Sequence, residues 1–193
     1  MQRAPLMNEN IAEQELISAC REGDNDAFEV LFRQNQKRVF SVALNFFGGN
    51  SEMAEDVTQQ VFLKLFTALV KFRGDAKVST WLYRITVNIC IDEQKKRRRY
   101  AFLSDLIEPR STHSKKVQEK RMDRFEIEDE VRSALGSLKV KFRMPIVLKY
   151  VEGLSYSEIA EVMDCSEGTV ASRLSRGHKM LARKLGHLRD SVH

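Results

Sequence analysis

The chain has 193 residues, 42% hydrophobic and 31% charged, with a formal net charge of +5 and only three prolines and nine glycines. That length can bury one good core or two small ones, and the apolar content is ordinary for globular protein. No window approaches the roughly 18 apolar residues of a membrane span and no apolar stretch follows Arg3, so neither membrane insertion nor a secretory leader is expected, and the expected location is cytoplasmic.

Ile11 to Arg21 carries a short amphipathic pattern that Gly23 ends, after which Asp24 or Asp26 caps a longer helix. Phe28, Leu31, Phe32, Val39, Ala43 and Phe46 form the apolar stripe of that helix, and Gly48 and Gly49 stop it. A third helix starts near Ser51 and buries Ala54, Val57, Val61 and Leu65. Asp56, Gln59, Gln60 and Leu63 are left on other faces, a surface that core packing does not explain.

Lys71-Phe72-Arg73-Gly74-Asp75 breaks the pattern into a loop, and Ser79 is placed to cap the next helix, TWLYRITVNICIDEQKKRRR. At about 100° per residue, Leu82, Ile85 and Ile89 fall on one side, while Trp81, Arg84, Asn88 and Lys95 share a narrow arc on another. Taken alone, a single tryptophan is more often a core plug. Here it lines up with a guanidinium and an amide and leads into five consecutive basic residues, a surface able to stack an unpaired base and hold its backbone.

From Lys95 to Arg124 eleven Lys and Arg face four Asp and Glu, so the basic excess sits in the middle of the chain. Such a run is commonly a solvated tether, and beside a DNA-binding module it also becomes a phosphate contact.

The most informative stretch follows, LSYSEIAEVMDCSEGTVASRLSRGHK from Leu154 to Lys179. Ser155 and Glu158 form a capping box, Ile159, Ala160 and Val162 are the apolar side of the first helix, and that helix ends near Met163. Asp164, Cys165 and Ser166 make the turn, and Ser166 caps a second helix. Val170, Leu174 and Leu181 face inward, turning Ser172, Ser175, Arg176 and Lys179 outward. A short, polar, basic face on the second helix of such a pair is what a recognition helix needs to enter the major groove, with Arg173 and Lys179 better placed for phosphate.

Helical periods nearly everywhere and scarce β-branched runs predict an all-α fold of two small helical domains joined by a flexible linker, the C-terminal one a helix-turn-helix. The expected bounds are 11–99, a linker 100–125, and 126–188. Enzyme chemistry is not expected, because the chain lacks a His-Glu metal motif, a Gly-rich phosphate loop and a nucleophile with a base beside it. Cys20, Cys90 and Cys165 are odd in number and widely spaced, and no histidine pairs with them. They read as small buried hydrophobes, with no metal or cofactor expected.

With both halves in view, the chain resembles the extracytoplasmic-function sigma factors of bacterial RNA polymerase, a group within the sigma-70 superfamily. The resemblance runs from about Glu15 to Leu185 through GDNDAFEVLF, AEDVTQQVFLKLF, KFRGDAKVSTWLYRITVNICIDEQKKRRR and FRMPIVLKYVEGLSYSEIAEVMDCSEGTVASRLSRGHKML, in the family's order and spacing. It implies that Asp56, Gln59, Gln60, Leu63 and Phe66 dock on the coiled coil of the largest polymerase subunit, with Gln60 standing where the family usually has Glu. It implies that Phe72, Arg73, Lys77, Trp81, Arg84 and Asn88 open promoter DNA and trap a flipped base, and that Ser172, Arg173, Ser175, Arg176 and Lys179 meet the upstream promoter element. Gly177 and His178 stand where relatives commonly carry Ala and Arg, which predicts a locally weakened helix and a lost phosphate contact. Lys139 stands where relatives usually have Pro. Only about ten residues precede the first module, so no autoinhibitory N-terminal domain is expected there. The family also implies an anti-sigma partner. The alternative reading is a stand-alone helix-turn-helix regulator, dimerising through its N-terminal half on a palindromic site.

Overall fold

Side-chain caps and left-handed glycines set where each helix begins and ends. The computed structural model describes residues 5–69, 78–107 and 124–190, and every regular element among them is helical. In chain order these are α1 (Pro5–Arg21), α2 (Asn25–Phe46), α3 (Ser51–Leu69), α4 (Val78–Ile107), α5 (Arg124–Ser137), α6 (Val140–Tyr150), α7 (Tyr156–Val162), α8 (Glu167–Lys184) and a closing 3-10 helix, Gly186–Asp190. Of the two candidate caps before α2, Asp24 is the one used, accepting from the Asp26 and Ala27 amides at 2.8 and 3.0 Å. Gly48 and Gly49 end α2 with φ of +67° and +90°, a region that a side chain would strain.

Three boundaries differ from the sequence reading. The first helix begins at Pro5 rather than near Ile11. Ser79 lies inside the first turn of α4 instead of capping it. Helix α4 also runs on to Ile107, through the expected start of the linker at Tyr100, because nothing in Tyr100-Ala101 opposes helical backbone and the basic run before it supplies good helix formers. Phe72, Arg73 and Lys77, and linker residues 108–123, lie outside the described residues.

Helices α1 to α4 build the N-terminal domain. Leu31, Val39, Val42, Ala43 and Phe46 of α2 meet Val57, Val61, Phe62 and Leu65 of α3 and Leu82, Ile85 and Ile89 of α4. Phe28 and Phe32 set their rings edge-on to Phe66 and Phe62, with centroids 4.9 and 4.6 Å apart. Cys20 and Cys90 are buried in this core and burial pushes both thiols up, which fits small inert hydrophobes.

Helices α5 to α8 build the C-terminal domain, where Met144, Val147, Leu148, Ile159, Val170 and Leu174 are buried. Lys139 occupies the N-cap position of α6 with φ −61° and ψ 141° and makes no side-chain capping bond, so its backbone has the conformation a proline there would impose. The two domains pack on one another, α2 against α5 and α6, and α4 against α7, and their buried apolar residues form one continuous cluster.

Candidate nucleic-acid interface

The helix-turn-helix forms as its local chemistry requires. Ser155 Oγ accepts from the Glu158 amide at 3.2 Å while Glu158 Oε2 accepts from the Ser155 amide at 2.8 Å, so the capping box at the start of α7 is closed in both directions. Asp164 turns the chain with φ +48°, a left-handed conformation that Asp tolerates better than most residues, and Ser166 Oγ accepts from the Thr169 amide at 3.2 Å to start α8. Val170 and Leu174 bury the inner face, and Ser172, Ser175, Arg176 and Lys179 are exposed on the outer one.

Three neighbours make contacts that the sequence did not signal. Arg173 is half-buried and its Nη1 lies 3.7 Å from Cys165 Sγ, which draws it toward the turn. Gly177 is buried, and a Cβ built on it would lie 2.6 Å from Ile146 Cδ1 and 3.3 Å from the Phe142 carbonyl oxygen. The glycine therefore permits close approach of α8 to α6, a packing role beside the helix propensity considered above. His178 is half-buried with its ring against Tyr150, centroids 5.4 Å apart, so it sits on the side that packs against α6 and not on the exposed side of Arg176.

On α4, Leu82, Ile85 and Ile89 face the core as expected, and Arg84, Asn88 and Lys95 are exposed. Trp81 divides the two readings, being half-buried and packed against the core cluster. Arg84 is not free: its Nε donates to the Glu161 carbonyl oxygen at 3.1 Å and its Nη2 lies 3.5 Å from Glu161 Oε1, both on α7. Beside it the Tyr83 hydroxyl donates to Glu152 Oε2 at 2.5 Å, and burial together with that carboxylate pushes the Tyr83 pKa far above its ordinary value.

The unexplained surface of α3 is open. Asp56, Gln59 and Gln60 are exposed beside Leu63 at 69% and Phe66 at 47% exposure, large apolar side chains on the outside of a well-packed helix pair. Gln60 and Leu63 border a groove of about 550 Å³ between α3 and α4. Among the described residues no group of His, Cys, Asp and Glu could hold a metal ion, and no helix is long and apolar enough to cross a membrane.

The two halves each match a described family region. Residues 31–100 match Sigma-70 region 2 and residues 128–181 match Sigma-70, region 4. Similarity extends beyond these segments: the ECF RNA polymerase sigma-E factor of Escherichia coli is 35% identical over 187 residues, covering 93% of this chain and 97% of the relative. The chain is an extracytoplasmic-function sigma factor of the sigma-70 family. The RNA polymerase sigma-H factor of Pseudomonas aeruginosa is 34% identical over 181 residues, covering 90% of this sigma factor and 93% of its own length. Among solved structures, CnrH in complex with the cytosolic domain of CnrY superposes with a TM-score of 0.67 at 26% identity, over 91% of this chain and 98% of that one. The sigma factor RpoE, solved with the anti-sigma factor NepR from Bartonella quintana, has a TM-score of 0.64 at 24% identity, over 82% and 96% of the two chains, and shares the fold.

Sequence reasoning missed the pairing of Arg84 with Glu161 and the packing role of Gly177. Glu161 carried no signal, since it reads as an ordinary exposed residue of α7.

Proposed function

We propose that this sigma factor joins core RNA polymerase through α3, opens promoter DNA with α4 and reads the upstream duplex with α8. The single observation that carries the proposal is the division of exposed chemistry over three faces. Apolar Leu63 and Phe66 stand with Asp56, Gln59 and Gln60 on α3, a half-buried Trp81 stands with Asn88 and Arg84 on α4, and Ser172, Ser175, Arg176 and Lys179 stand on a capped α8. The first face suits a protein partner, and the family assigns it the coiled coil of the largest polymerase subunit. The second suits an unpaired base. Extruding one costs a few kcal/mol of stacking and pairing, which a ring with a guanidinium and an amide beside it offsets, so opening proceeds from binding energy without covalent chemistry. Phe72, Arg73 and Lys77 belong to this face by the family's pattern. The third suits base edges and phosphates of a duplex, with Arg176 the strongest candidate for a guanine edge, Lys179 for phosphate and Arg173, drawn toward the turn, for phosphate at the edge of the groove.

The working division is a polymerase-docking and melting domain over 11–99, a connecting segment over 100–125 and a duplex-reading domain over 126–188. An anti-sigma partner covers these faces until a signal arrives, a reading supported by the capture of the similar CnrH with the cytosolic domain of CnrY. Such an assembly works on promoter DNA in the cytoplasm.

Run-off transcription from a genomic promoter library, with purified core polymerase in the presence and absence of the chain, tests the reading. Discrete transcripts appear only with the chain, and both Arg176→Ala and Trp81→Ala abolish them. Duplex binding by the chain alone with no transcript would favour the stand-alone regulator.

A further inference from the structure

The basic residues Lys95 to Arg99 of α4 do not share one environment. Lys95 and Lys96 are neutralised within their own helix, by Asp92 at 3.1 Å and Glu93 at 2.6 Å. Arg97 and Arg98 stand three and four residues after Gln94, so the three share one face of α4, and that face borders a cavity of about 420 Å³. Ser133 and Gly136 of α5, Gly48 after α2 and Arg143 of α6 also line it. Among the described residues no Asp or Glu does.

Arg143 is the buried charge of this cavity, only 4% exposed. Its Nη1 donates to the Phe46 carbonyl oxygen at 2.7 Å and to Gln94 Oε1 at 3.2 Å. Its Nη2 donates to the Leu138 carbonyl oxygen at 2.6 Å and to that of Gly136. Phe46 is the last residue of α2, whose terminal carbonyls have no intrahelical donor, so Arg143 caps that helix. Its Nε is buried and has no hydrogen-bond partner. Every acceptor of this guanidinium is neutral, and no carboxylate balances it. Burial and the neighbouring Arg98 charge lower its pKa to about 10, which leaves it a cation at neutral pH beside a like charge. Buried charges are ordinarily paired. One surrounded by dipoles alone, with two exposed arginines at the same cavity, marks a place short of negative charge.

We propose that this cavity is a binding site for a small phosphate-bearing anion, held by the guanidinium groups of Arg97 and Arg98 and the amide of Gln94, with Arg143 as a fixed charge beside them. The planar fork of arginine meets two phosphate oxygens at once, which suits it to this ligand better than lysine. Because Gln94 Oε1 accepts from Arg143, the other terminal atom of its amide is a nitrogen, a donor. Ser133 adds a hydroxyl. The volume lies within the range of small-molecule sites, so it accommodates a diphosphate or the phosphate end of a nucleotide. Nearby the backbones meet at glycine, where a Cβ on Gly136 would lie 3.1 Å from Gly48 Cα, and this close approach brings the helices that carry the donors together. The site draws on both domains and does not depend on which faces meet polymerase or promoter.

Isothermal titration of the full-length chain with sodium pyrophosphate, in chloride buffer at fixed ionic strength, tests the site. One pyrophosphate binds per chain. Arg97→Gln and Arg98→Gln together weaken it by at least about tenfold, the loss expected for charge-assisted hydrogen bonds, while glutamine preserves the helix. Lys95→Gln with Lys96→Gln removes the same charge from the same helix and leaves the affinity within about twofold, because salt screens charges outside the site. Pyrophosphate also raises the melting temperature of the wild type and of the lysine pair, and not that of the arginine pair. Equal losses in the two double variants would reduce the effect to the general attraction of a basic helix. Absence of binding to the wild type at millimolar pyrophosphate would mean that there is no small-anion site. If, in that case, the arginine pair also loses its grip on a short random duplex, the arginines serve a DNA backbone instead.

Discussion

The outer face of α8 and the polar arc of α4 carry similar chemistry and end in different environments. On α8, Ser172, Ser175, Arg176 and Lys179 project into solvent, whereas on α4 Trp81 is half-buried and Arg84 is bonded to α7. Face α8 is presented by bonds between residues three or four apart. On α4, Arg84 is bonded to Glu161, seventy-seven residues further along the chain. A polar helical face can therefore be laid out by local structure and still be tied down by distant structure.

Four changes break or sharpen that comparison. Leu174→Ala should cost about 2–5 kcal/mol in thermal unfolding, because it empties a fully buried site behind the recognition helix. Arg176→Ala should weaken binding to the cognate upstream duplex by about 1–3 kcal/mol with no change in melting temperature, as a band-shift titration with holoenzyme would record. Gly177→Ala should lower stability by about 1 kcal/mol in spite of alanine's better helix propensity, because the added methyl overlaps Ile146 and crowds the Phe142 carbonyl. A gain in chemical denaturation would instead mean that α6 and α8 yield easily. The smallest effect is expected at the exposed contact of α4 with α7, where a double-mutant cycle between Arg84 and Glu161 should give a coupling below about 1 kcal/mol that shrinks with added salt. A coupling that survives high salt would place that pair in a drier contact than the one described.

The helix-turn-helix was almost wholly legible because its signals are short-range. Ser155 with Glu158 and Ser166 with Thr169 sit three residues apart, and the heights of Val170 and Leu174 on their helix follow from periodicity alone. The polar surface of α3 was legible as an anomaly before its exposure was known, since Leu63 could not join the stripe of Val57, Val61 and Leu65. The packing at Gly177 went unread because propensity scores a glycine by its own backbone, while a side chain there would also strike Ile146. Arg143 attracted no notice at all, as one basic residue in FRMPIVLKY, and became the cap of another domain's helix.

By itself the sequence determined the helical class, the order of the two modules, the caps that start α7 and α8 with two candidates for that of α2, and most of the residues that face outward. These depend on backbone donors satisfied within one turn and on apolar side chains repeating at the helical period, both of which are written in neighbouring residues. Tertiary structure alone decided that α2 ends on Arg143, that Gly48 and Gly136 let the two backbones touch, and that Arg84 is held by α7. Such contacts join residues far apart in the chain, and their strength comes from burying charge and carbonyl together in a place that exists only once both domains have folded and met.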